Sequence, residues 1–188
     1  AFDRLPKTPF EIKFFDDFQA PAQAAANYEP ASADGSRPGI FNINGYDLPS
    51  RPTYTTEVLS LHESAPGHHL QMMLAQENTA LPAFRRFNGP NAFIEGWGLY
   101  TEQLGKTLGL YTDPYQAFGF LSFDMWRACR LVVDTGMHNG QMTREEAIRF
   151  MLEHTALAEN TVTNEVDRYL AMPGQALAYK LGQREFLR

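Results

Sequence analysis

Cysteine is nearly absent from this 188-residue chain, where Cys129 stands alone. A disulfide framework and a thiolate metal site are thereby excluded, so any metal here must be held by histidine and carboxylate. Long apolar runs are missing too: no stretch reaches the roughly 18 residues that a membrane-spanning helix requires. There is no cluster of Lys or Arg, and the net charge is −6 with a pI near 5.3. The chain lacks the concentrated basic face that phosphate contacts demand, which argues against nucleic-acid binding. The opening Ala1-Phe2-Asp3-Arg4-Leu5-Pro6-Lys7 has neither an initiator Met nor the apolar core of a signal peptide. It reads as a piece of a longer chain, so a missing leader does not decide the compartment. Hydrophobic residues make up 44% and charged residues 20%, enough for a sizeable core in a single domain spanning residues 1–188.

Residues 1–53 are rich in Pro, Gly, Ala and aromatics and read as an irregular region with strands. Glu11–Phe15 is one candidate strand. Ile40–Gly45 alternates apolar and polar residues and ends in Asn-Gly, which predicts a strand followed by a tight turn. An exposed edge strand at this point would hold an extended peptide by main-chain hydrogen bonds. Ala20–Ala26 shows no apolar stripe. From residue 54 onward the patterning is helical. Thr55 or Thr56 caps a helix reaching His62, and a second helix covers His68–Gln76. Asn91 caps the segment carrying Glu95, Trp97, Tyr100 and Glu102. Asp113-Pro114 opens a long helix with a candidate end at Gly136, and Thr143 with Glu146 forms a capping box for a helix to His154. Glu159–Met172 and Gln175–Phe186 complete the series. The expectation is a mainly α domain with a small β element near its N-terminus.

Three of the five histidines fall within His62-Glu63-Ser64-Ala65-Pro66-Gly67-His68-His69. Zinc favours His nitrogens and Asp or Glu oxygens, and a catalytic zinc uses three protein ligands with the fourth position left to water. The helical solution His-Glu-x-x-His sets its histidines four apart on one face. Here His62 and His68 are six apart, about 240° of rotation on a regular helix. Pro66 removes an N–H and its ring clashes with the His62 carbonyl, so the helix must deform there, and Gly67 permits the bend. A broken turn can then return His62 and His68 to one side. His69 competes with His68 as ligand and is otherwise a neighbouring or substrate-side group. The third ligand is a carboxylate from the next helix: Glu95, flanked by Gly96 and Gly98, is preferred. Glu102 orients a ligand by hydrogen bonding or exchanges roles with Glu95.

His62-Glu63-Ser64-Ala65-Pro66-Gly67-His68-His69-Leu70-Gln71 and Glu95-Gly96-Trp97-Gly98-Leu99-Tyr100-Thr101-Glu102 resemble the bacterial domain of unknown function 885 family. Asp134–His138 and Glu165–Ala176 resemble its later signature segments, so the likeness runs along essentially the whole chain. The resemblance implies the C-terminal catalytic portion of a longer protein, exported to the periplasm and in some members lipid-anchored. It also implies kinship with helical zinc peptidases of the gluzincin type. In that setting Gly67-His68-His69-Leu70 fits the register of the second ligand, which favours His68 over His69 and Glu95 over Glu102.

The expected chemistry is hydrolysis of a peptide substrate. Zn2+ is held by His62, His68 and Glu95, with Glu63 as the general base that takes the water's proton and passes it to the leaving amine. Donors for the developing oxyanion are sought among His138, Tyr169, Arg168 and Tyr179, the last two also as substrate-binding groups. Arg127 and Arg130 read as partners of Asp124 and Asp134, His154 as a surface residue, and Trp97 and Trp126 as core. Ser64 lacks the Gly-x-Ser-x-Gly elbow of a serine hydrolase. Two other readings remain open: a non-catalytic helical domain whose histidines bind metal structurally or not at all, and a metal-dependent hydrolase of an ester or non-peptide amide.

Overall fold

A computed structural model describes residues 2–188. Among these residues the N-terminal region builds one small sheet from β1 (Phe10–Phe14), β2 (Ala26–Glu29) and β3 (Gly39–Ile43), in the order β1-β3-β2. β3 runs parallel to β1, from Phe10↔Gly39 to Phe14↔Ile43. It runs antiparallel to β2, from Ala26↔Ile43 to Glu29↔Ile40. The two predicted strands are present, but Asn44-Gly45 is not a hairpin turn. The Asn44 side chain is buried and its amide donates to the carbonyls of Ala20, Gln23 and Ala24 at 2.8, 3.0 and 3.1 Å, which ties the end of β3 to the segment before β2. Being central, β3 has no free edge for a peptide. The free edge near the helices belongs to β2, which sequence patterning missed. The Asn44 N–H donates to the Ala25 carbonyl at 2.9 Å. Alternation along an antiparallel ladder then turns the Asn27 and Glu29 main-chain groups toward β3, and those of Ala26 and Tyr28 away from it.

Eight α-helices follow among the described residues: α1 (Thr56–Glu63), α2 (His68–Glu77), α3 (Ala83–Arg86), α4 (Asn91–Thr107), α5 (Pro114–His138), α6 (Arg144–His154), α7 (Glu159–Ala171) and α8 (Gln175–Phe186). Local chemistry explains several of their starts. The Asp113 carboxylate accepts from the Gln116 N–H at 2.9 Å with Pro114 at the first position, satisfying donors that a helix N-terminus leaves open. Thr143 and Glu146 form both halves of the expected capping box. Asn91 opens α4 one position inside the cap, which is Pro90, and the short α3 has no counterpart in the sequence reading.

α5 is the axis of the molecule, about 38 Å long at 1.5 Å per residue. It contributes Phe120, Phe123, Trp126, Cys129 and Val133 to a buried core with Val58 of α1, Met151 of α6, and Val162, Val166 and Tyr169 of α7. α4 and α8 cross where Gly96 meets Gly182. A Cβ on Gly96 would collide with the Gly182 backbone, so the absence of side chains is what lets these helices touch. No helix among the described residues is long and apolar enough to cross a membrane.

Candidate metal centre

α1 stops at Glu63 and α2 begins at His68, with Ser64–Gly67 forming the bend between them and a cis Ala65–Pro66 peptide within it. The bend removes the problem of the six-residue spacing. The imidazoles of His62 and His68 stand edge to face with centroids 4.7 Å apart. α4 brings Glu95 to the same point, its Oε2 lying 3.6 Å from His62 Nε2 and 3.4 Å from His68 Nε2. One donor atom from each of His62, His68 and Glu95 falls within 4.8 Å of the others. Among the described residues this is the one such group.

Several contacts fix α4 in that position. Trp97 Nε1 donates to the Pro66 carbonyl at 2.9 Å, and Thr101 Oγ1 donates to the Leu61 carbonyl at 3.0 Å. Gly98 lies flat against the His62 ring, where a Cβ would come within 2.7 Å of Cε1. Trp97 is thus a half-buried clasp rather than a core residue.

Behind the three donors sits a buried charge chain. His62 Nδ1 is 2.7 Å from Glu102 Oε1, and Arg127 Nη2 donates to the same oxygen at 3.0 Å. Glu102 is fully buried. Burial alone would lower the His62 pKa, but the hydrogen bond to Glu102 and the close carboxylates of Glu95 and Glu63 overcome it and raise the pKa to about 9. Burial would likewise raise Glu95, yet His62 and His68 hold its carboxyl far below the usual range. The lowered Glu95 carboxyl keeps a negative charge where a cation would sit, whereas the raised His62 favours a proton that a dication on Nε2 would have to displace.

The donors open onto a cavity of about 370 Å³. Glu63 is buried and lines it next to His62. Tyr179 of α8 also lines it, with its ring stacked on His62 at 6.2 Å and 22°. Arg168 reaches the wall, but its guanidinium is engaged by Glu165 at 3.0 and 2.9 Å and by Gln175 at 2.7 Å.

Three candidates lie elsewhere. His69 points to the sheet, with Nδ1 2.8 Å from the Tyr28 hydroxyl and its ring against Phe10. Tyr169 is fully buried in the core, its hydroxyl 3.0 Å from Trp126 Nε1, 2.7 Å from Arg130 Nε and 3.0 Å from Glu165 Oε2, and it does not line the cavity. His138 caps its own helix through the Asp134 carbonyl at 2.8 Å, with the Asp134 carboxylate 3.4 Å away, also outside the cavity.

The expected pairing of Arg127 and Arg130 with Asp124 and Asp134 is not found. Arg127 goes to Glu102 and Arg130 to Glu165, while Asp124 pairs with Lys180 and Asp134 accepts from the Gly174 N–H. The two arginines are wall residues of the cavity. Same-helix spacing had pointed to nearer partners, and no local signal marks the distant ones.

The family described as "Bacterial protein of unknown function (DUF885)" matches residues 1–188. This chain belongs to the DUF885 family. None of the curated proteins matches it. Solved structures do match, among them the following two. An inferred lipoprotein of Colwellia psychrerythraea is 43% identical, with a TM-score of 0.96 over 99% of this DUF885 chain and 32% of its own. An inferred lipoprotein of unknown function from Shewanella oneidensis is 22% identical, with a TM-score of 0.75 over 100% of this chain and 34% of its own. The second likeness speaks for the fold alone. The DUF885 chain spans about a third of the length of each.

Proposed function

We propose that this DUF885 chain is a zinc-dependent hydrolase, a metallopeptidase of gluzincin-like organisation that cleaves peptides. The observation that carries the reading is the pair of Nε2···Oε2 distances, 3.6 and 3.4 Å. They are too long for good hydrogen bonds, but zinc bonded at about 2.0–2.2 Å in a tetrahedron sets its ligand atoms roughly 3.4 Å apart. Two imidazole nitrogens with one carboxylate oxygen are also a donor set that suits zinc, and three protein ligands leave a fourth position. Glu102 on His62 Nδ1 supplies the carboxylate partner that fixes a ligating imidazole's tautomer and orientation.

When bound there, zinc supplies a Lewis acid and lowers the pKa of a water from about 15.7 toward 7. Glu63, adjacent to His62 and buried in the same cavity, takes that water's proton and hands it to the leaving amine. β2 borders the cavity through Ala26, Asn27 and Tyr28. The main-chain groups of Ala26 and Tyr28 that β3 leaves free can hold an extended substrate by strand addition. Kinship with the Colwellia protein, by its name an inferred lipoprotein, supports an exported and lipid-anchored setting for this chain.

Elemental analysis of purified wild type and of Glu95→Ala tests the proposal. The expected result is about one zinc per chain, lost in the variant, together with peptide hydrolysis that Glu63→Gln abolishes while keeping the metal. Wild type that takes up no zinc when it is supplied overturns the reading. Zinc-dependent cleavage confined to esters or non-peptide amides would move the substrate class and leave the metal chemistry.

A further inference from the structure

Beside the donor triad the cavity wall holds a buried charge cluster that is out of balance. Arg130 Nη2 donates to Glu165 Oε2 at 2.8 Å, and Arg168 donates to both oxygens of the same carboxylate at 3.0 and 2.9 Å. Burial would raise the Glu165 carboxyl, but the two guanidiniums hold it down to about 2, so one full negative charge answers two positive ones. Arg168 commits its remaining Nη1 to Gln175. Arg130 does not. Its Nε goes to the Tyr169 hydroxyl at 2.7 Å, but Nη1 is buried without any partner, on a side chain only 3% exposed.

A guanidinium does not deprotonate to escape such a position. A buried charged donor left unmade costs more than the roughly 1–3 kcal/mol of a neutral one. Such groups in a native protein call for an explanation, and an absent ligand is one. Arg130 lines the same cavity as His62, Glu63, His68 and Glu95. A single aromatic ring separates it from the triad: Tyr179 lies 4.4 Å from the Arg130 guanidinium carbon and stacks on His62. Arg127 is answered by Glu102, whereas Arg130 and Arg168 share the single carboxylate of Glu165. A dication on the triad would offset Glu63 and Glu95 and leave that excess of positive charge on the cavity wall.

Resting on the metallopeptidase reading, we propose that Arg130 receives the free α-carboxylate of a short peptide, so that the chain acts as an exopeptidase at the C-terminal end of its substrates. With Nε and Nη2 committed to Tyr169 and Glu165, Nη1 offers a carboxylate a charge-assisted hydrogen bond. An anion fixed one ring away from the triad places a peptide bond near the chain terminus over His62 and Glu95. The hydrolysis balances without a co-reactant: the C–N bond breaks, water's oxygen bonds to the carbonyl carbon, and its proton passes through Glu63 to the leaving nitrogen. The carboxylate on Arg130 is unchanged.

The test compares acetylated tripeptides of one sequence ending either in the free acid or in the amide. Binding is measured by calorimetry on zinc-supplied Glu63→Gln, and hydrolysis on the zinc-supplied wild type. The free acid is expected to bind about tenfold more tightly or better and to be cleaved faster. Arg130→Lys, checked for folding by circular dichroism, should bring the ratio near one with zinc content unchanged. Equal binding of acid and amide overturns the carboxylate subsite by itself, even if Arg130→Lys does not fold. Equal cleavage of both overturns the subsite while upholding the peptidase. Preferred binding of the acid with cleavage of neither upholds the subsite and overturns the peptidase.

Discussion

His62 and Glu102 are joined through Nδ1 and Oε1 at 2.7 Å, forty residues apart in sequence and both sealed from solvent. That bond leaves Nε2 as the nitrogen facing Glu95, and it makes Glu102 a positioning residue. Replacing Glu102 with Gln keeps the shape and removes the charge. Zinc affinity, read by competition with a chelating dye, should fall roughly 10–100-fold, with the helical circular dichroism spectrum retained. Glu102→Ala should also lower the melting temperature, because it strands the buried Arg127 guanidinium at a cost of about 3–5 kcal/mol.

The neighbouring histidines offer a sharper contrast. His68 shares the donor group with Glu95, whereas His69 is bonded to Tyr28. Elemental analysis should show zinc lost from His68→Gln and retained at wild-type stoichiometry in His69→Gln. The second variant should instead lose stability by about 1 kcal/mol, the usual worth of one hydrogen bond. Equal zinc loss in both would reject this division.

Gly98 presents a third case. Alanine is a better helix former than glycine by about 1 kcal/mol, so Gly98→Ala should strengthen α4 locally. Its methyl would nonetheless come within 2.7 Å of the His62 ring and drive the imidazole off its position. Lower zinc content in a protein that still melts cooperatively is the expected signature, measured by elemental analysis beside calorimetry.

Acid stability should report on Glu165. Its carboxyl is depressed from 4.5 to about 2 against the opposing effect of burial, chiefly by Arg130 and Arg168. A depressed folded-state pKa contributes stability that is fully present above the unfolded value near 4.5 and is lost as pH falls from there toward 2. Urea unfolding of the wild type should therefore weaken across that window. Glu165→Gln should be less stable at pH 7 and show a shallower decline, since its side chain no longer titrates.

Much of this arrangement is legible in the sequence because the signals are local. Asp113-Pro114 and the Thr143–Glu146 box act within one turn, and both starts are as expected. The proline clash at Pro66 likewise involves residues only four apart, enough to expect His62 and His68 on one side. What stays hidden depends on distant partners. Arg130 and Asp134 have a helical spacing that invites pairing, yet Arg130 is taken by Glu165 thirty-five residues away. β2 holds one large apolar residue, Tyr28, and its extended form comes from pairing with β3. Asn44-Gly45 looks like a turn and instead serves three carbonyls on the preceding segment.

The break at Ser64–Gly67 divides the histidine motif between a helix of 8 residues and one of 10. Each is shorter than the roughly 12–15 residues at which a helix begins to hold by itself in water. A His-Glu-x-x-His helix transplanted alone can bring its two ligands along in one piece, whereas His62–His69 cut out as a peptide would keep the residues and lose their arrangement. The motif is not portable: its geometry belongs to Trp97, Thr101 and the rest of α4 as much as to the histidines themselves.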